Sequence, residues 1–133
     1  MSIMFQVCEI LEKIDGIADF YTQNVRDMSD MLSKCRNLKI IPKIGYWKLN
    51  NVKEIIGLFN ECEKLEKIPD LGSYNMSQIK DASGMFYKCS GLKEEKGINK
   101  WRFSNRTTID NIFDQCSSLQ NINDIKKAWK EKK

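Results

Sequence analysis

The chain of 133 residues contains no histidine and only two prolines. Without histidine it lacks the side chain best suited to moving protons near neutral pH. No Gly-rich phosphate loop, no G-x-S-x-G elbow and no clustered carboxylate pair takes its place. We therefore expect neither an enzyme active site nor a cofactor. Zinc is disfavoured as well, because there is no Cys-x-x-Cys pair and there are no histidine ligands. No apolar run approaches the ~20 residues that cross a bilayer. The start, MSIMFQVCEILEKIDG, lacks the basic-then-apolar order of a secretory leader. Together these absences predict an intracellular, cytoplasmic protein with reduced thiols, with the cell surface as the alternative.

A one-signed charge field is missing too. The formal charge is +4, and the stretch 126–133 carries all of it through Lys126, Lys127, Lys130, Lys132 and Lys133 against Glu131. Acids and bases balance in the rest of the chain. A neutral body has no basic stripe for nucleic acid, which leaves only the tail as a contact.

What the chain does have is a repeat. Cysteines stand at Cys8, Cys35, Cys62, Cys89 and Cys116, every interval being 27 residues. Other columns keep the same register. Three residues after each cysteine stand Leu11, Leu38, Leu65, Leu92 and Leu119. Six after stand Ile14, Ile41, Ile68, Glu95 and Ile122, and twelve after stand Phe20, Trp47, Tyr74 and Trp101. Three before stand Phe5, Leu32, Phe59, Phe86 and Phe113. Such recurrence marks a stack of supersecondary units, none of which can bury its apolar side alone.

Within one unit, apolar residues such as Val52, Ile55, Leu58 and Phe59 precede the cysteine at a spacing that predicts one face of a short helix. Asn24, Asn51 and Asn105 stand where they would cap it, with Asp27 and Glu54 three residues after the first two. The stretch from Leu65 to Ile68 predicts a short strand, ended by Pro69 as its counterpart is by Pro42. The expected architecture is α/β: a single domain over 1–133 of five stacked units, each with one short helix and one short parallel strand.

The pattern Val-x-x-Met-x-x-Met-Phe-x-x-Cys-x-x-Leu-x-x-Ile-Pro-x-Leu-x-x-Trp resembles the BspA-like leucine-rich repeat. The segments Asn24–Trp47, Asn51–Tyr74 and Gln78–Trp101 carry it best, with MFYKCSGL at Met85–Leu92 close to the family core. The resemblance implies a curved right-handed solenoid that binds other proteins and has no active site. It points to a non-enzymatic interaction or scaffold module, an accessory subunit of a larger assembly, with an open end of the stack contacting another chain. A fragment or relative of a surface adhesin is a second reading. A ribonucleoprotein subunit touching RNA through the tail is a third.

Several positions are candidates for the contact surface. Glu12, Lys39, Glu66, Lys93 and Gln120 form a column of alternating sign, four residues after each cysteine. On strands ~4.8 Å apart these side chains would pair across the sheet. Beside them run Lys13, Ile40, Lys67, Glu94 and Asn121. The two columns form either a solubilising face or a partner-binding strip. Glu95 and Arg106 interrupt core columns, and either an ion pair between them or a bulge near Gly97 would accommodate both. The aromatic column predicts core packing, leaving Tyr46 and Tyr87 as the exposed aromatics.

The cysteines read best as small buried thiols rather than ligands. Accordingly, adding a chelator should leave the thermal midpoint unchanged, and Cys62→Ala should leave partner binding intact; a chelator-induced drop in the melting temperature would restore the metal reading.

Overall fold

In a computed structural model of the chain, residues 10–41 and 43–131 are described. The 27-residue register governs the stack. Backbone bridges join Asp27 to Glu54, Glu54 to Asp81 and Asp81 to Thr108, all parallel. One continuous hydrophobic cluster runs through the units from Ile14 to Trp129.

The expected solenoid of five helix–strand units does not form. Among the described residues there is one α-helix, α1 (Ile122–Glu131), and one two-stranded parallel sheet of β1 (Lys67–Asp70) and β2 (Glu94–Lys96). Short 3₁₀ segments stand at Ile17–Asp19, Ile44–Tyr46 and Ile98–Lys100. The segments before the cysteines are chains of hydrogen-bonded turns. Leu58 N–H bonds to Ile55 O at 3.3 Å, Cys62 N–H to Phe59 O at 3.2 Å and Leu65 N–H to Cys62 O at 3.3 Å. Each turn thus begins and ends on a buried residue. The apolar positions recur every three residues because the turns close over three, not because a helix turns every 3.6.

Backbone conformation shows why no helix forms. Asp30, Gly57, Gly84 and Asn111 have positive φ, and so do Lys34, Glu61, Lys88 and Gln115. These are two further columns at the 27-residue interval, each in the third position of a turn that requires the left-handed region. A helix cannot pass through them. The N–H groups between the turn bonds reach sideways instead: Ile55, Gly57, Phe59 and Glu61 donate to Asp81, Ser83, Met85 and Tyr87 at 2.7–3.0 Å. Asn51 caps nothing, and its amide donates to Gln23 O at 2.6 Å.

The strands also differ from expectation. Leu65 still belongs to a turn, so β1 starts only at Lys67 and contains Pro69. The register between β1 and β2 pairs Lys67 with Glu94 and Asp70 with Lys96, skipping one residue, and proline is tolerated at such a bulge. Pro42, Cys8, Phe5, Lys132 and Lys133 lie outside the described residues.

Two side-chain columns tie unit to unit. Phe59 O accepts the N–H of Cys62 and the thiol of Cys89, the latter at 3.0 Å. Leu32 O receives Cys62 Sγ at 3.1 Å and Phe86 O receives Cys116 Sγ at 2.8 Å in the same way. The aromatic column repeats the arrangement. Trp47 Nε1 donates to Ile17 O at 3.0 Å, Tyr74 Oη to Ile44 O at 2.7 Å and Trp101 Nε1 to Leu71 O at 2.9 Å. The rings stack as well, with Phe59, Phe86 and Phe113 at centroid separations of 5.3 and 5.5 Å.

In the last unit α1 replaces the strand expected near Ile122. Here the apolar positions Ile122, Ile125 and Trp129 do follow a helical period. Asp124 in the first turn and Lys130 in the last suit the helix dipole. Trp129 takes the place of the aromatic column: its Nε1 donates to Ile98 O at 2.8 Å, and its ring stacks on Trp101 at 6.1 Å.

The turn ladder and a helix predict opposite signs for glycine exchanges. Gly57 lies at φ +61 with Asp30 Oδ1 2.6 Å from where a Cβ would sit. Gly57→Ala should therefore destabilise by about 1–2 kcal/mol, whereas in a helix it would stabilise by about 1 kcal/mol. Lys34→Gly, at φ +62 in the other positive-φ column, should be neutral or stabilising by urea denaturation; a loss of about 1 kcal/mol there would favour a helix. Burial pushes the Cys62 and Cys89 thiols well above their ordinary value. Unfolded chains release these protons above pH ~8.5 while the folded chain keeps them, so stability is level below that pH and falls above it. Denaturation at rising pH should show a loss of about 1.4 kcal/mol per pH unit for each such thiol.

Candidate functional site

An open groove of about 1220 Å³ lies on the side of the stack that carries β1 and β2. It forms where the ladder is interrupted. Bridges join Lys13 to Ile40 and Lys67 to Glu94, but among the described residues none joins Ile40 to Lys67. Ile40, Ile41 and Lys43 line one side of this gap, and Lys67, Ile68, Pro69 and Asp70 line the other. The 3₁₀ segment Ile44–Tyr46 and the stretch from Gly72 to Asn75 extend the walls. Gly45 permits this packing, since a Cβ there would meet Asp70 O at 2.4 Å.

The floor is apolar and the rim is charged. Trp47 and Tyr74 line the groove from the core, nearly fully buried. Ile40 and Tyr46 are large apolar side chains left in solvent, 59% and 77% exposed. Lys43, Lys48, Lys67, Lys96 and Lys100 contribute positive charge, against Asp70, Glu94 and Glu95. Two of these acids are already engaged. Asp70 Oδ1 accepts the N–H of Gly72 at 2.9 Å. Glu95 Oε2 accepts the N–H of Ile98 at 3.1 Å, and its Oε1 accepts Asn121 Nδ2 at 3.0 Å.

The candidate strip divides between groove and flank. Ile40, Lys67 and Glu94 line the groove. Glu12, Lys39, Glu66, Lys93 and Gln120 are exposed outside it, with Lys39 Nζ 3.5 Å from Glu12 Oε2. Glu95 sits at the groove edge, whereas Arg106 is exposed elsewhere with its N–H on Ser104 Oγ. Their irregularity is resolved by local bonds and the β1/β2 bulge rather than by pairing with each other. Lys126, Lys127 and Lys130 lie on the exposed side of α1, away from Ile125 and Trp129. Tyr87 is half-buried, accepts Gln115 Nε2 at 3.1 Å and has Lys88 over its ring.

Sequence columns did not single out Lys43, Lys48, Asp70, Lys96 or Lys100. Their only signal is polarity at the corners after the strip, and polarity does not reveal concavity. The described cysteines Cys35, Cys62, Cys89 and Cys116 are buried free thiols and do not line the groove. No helix among the described residues is long and apolar enough to cross a membrane.

No curated protein and no solved structure matches the chain. One family does, over residues 1–129, and its description is "Mycoplasma protein of unknown function, DUF285". With nearly every 27-residue unit inside that match, the chain belongs to the DUF285 family.

Proposed function

We propose that this chain is a non-enzymatic protein-interaction module and that a partner chain occupies the groove. The observation that carries the reading is the exposure of Ile40 and Tyr46 inside a concave, charge-rimmed surface. Large apolar side chains in solvent lower their free energy when covered, by roughly 25 cal/mol per Å². Aromatic anchors ringed by polar groups are the usual makeup of interface centres. Ile40 is bridged to Lys13 and Tyr46 ends a 3₁₀ segment, so both stand on ordered backbone, which limits the ordering cost of binding.

RNA contact through the tail remains a separate reading, favoured by the exposure of Lys126, Lys127 and Lys130 on one helix.

Affinity capture from the native source with paired variants separates the two. Ile40→Asp combined with Tyr46→Ala should abolish recovery of the specific partner while leaving the melting temperature close to that of the parent. Lys126→Glu, Lys127→Glu and Lys130→Glu together should leave it intact. Capture that survives the groove variant would sink the proposal, and nucleic acid lost only in the tail variant would establish the RNA reading.

A further inference from the structure

We infer that the groove takes an extended acidic peptide segment anchored by an apolar side chain. This rests on the interaction reading above and goes further by assigning the chemistry of the partner. Five lysines line the groove, and among the described residues none of them is held in an ion pair. Of the three acids, Asp70 and Glu95 spend carboxylate oxygens on Gly72 N–H, Ile98 N–H and Asn121. Glu94 is the acid of the three without such a bond, and five lysines against three acids leave the groove a formal excess of 5 − 3 = 2 positive charges. The groove is therefore positive within a body whose charges balance overall.

The charge is also placed on both walls. Lys43 and Lys48 flank Tyr46 on one side, while Lys67, Lys96 and Lys100 come from β1, β2 and the 3₁₀ segment after it. The stem of Lys100 lies against Gly72, and the residue is exposed. Ile40 and Tyr46 stand on the same wall as Lys43 and Lys48, facing the three lysines of the other. An extended chain with carboxylates on either side of one apolar residue matches that order. A polynucleotide matches it less well: its evenly spaced phosphates would meet Glu66 on the exposed flank as well as Glu94 in the groove.

The test is selection from a display library of random dodecapeptides against the full chain, followed by fluorescence anisotropy of the enriched peptides. The enriched set should be acidic with a single large apolar residue. Its affinity should fall at least tenfold in a Lys67→Glu, Lys96→Glu, Lys100→Glu variant, and also when salt rises from about 50 to about 300 mM. Should charge reversal unfold the chain, the corresponding Lys→Gln variant should still weaken binding. Neutral or basic peptides that are lost on Ile40→Asp but not in the lysine variants would overturn the acidic assignment and leave the interaction reading standing. Enriched peptides insensitive to both sets of variants would overturn both. A single-stranded oligouridylate that displaces the peptides and binds more tightly, in a lysine-dependent way, would overturn the inference in favour of nucleic acid.

Discussion

A buried carbonyl oxygen has two lone pairs, and in this protein the second one organises the stack. At Phe59, one acceptor position is filled from within the unit by Cys62 N–H and the other from the next unit by Cys89 Sγ. At Ile44 the same division holds between Trp47 N–H and Tyr74 Oη. An unfilled acceptor in a dry core is costly, so each unit needs one donor-bearing side chain at two fixed places. One place is narrow and takes a thiol, and the other is broad and takes an indole or a phenol. This explains the regularity of the cysteines without metal or redox chemistry. The rings and aliphatic residues then fill the space between these two rows of bonds.

That requirement made part of the structure legible from sequence. The 27-residue register, the buried columns and the burial of Trp47, Tyr74 and Trp101 all follow from side chains that must recur to stack. The local conformation was not legible, because Val52, Ile55 and Leu58 are spaced by three, and a window that short fits a helix almost as well as linked turns. The decisive positions were Glu61, Lys88 and Gln115, which adopt positive φ although nothing in their side chains announces it. Tertiary bonds between units hold them there against their own preference. Only α1, where the spacing widens to include an interval of four before Trp129, satisfied the helical period in earnest.

The groove was hidden for a different reason. Ile40, Lys67 and Glu94 were visible as one column, but a column of residues does not disclose that the backbone ladder stops between the first two. Nor does it disclose that Gly45 and Gly72 let the corners close in around the gap. The strip alone reads as a flat, self-neutralising face, and the pair Glu12–Lys39 behaves that way. Concavity arises from a missing bridge, and the lysines that then converge come from corners that share no column. Glu95 shows the opposite case: an apparent defect in a core column that serves as the acceptor for a 3₁₀ segment and for the neighbouring unit.

The bonds from Cys62, Cys89, Trp47 and Trp101 all reach back to the unit immediately before. No interaction in these rows depends on how many units the chain contains. Duplicating or deleting a 27-residue segment would leave every remaining donor with an acceptor, provided Trp129 still closes the end. The length of the molecule is therefore a variable that recombination can alter without redesigning the core.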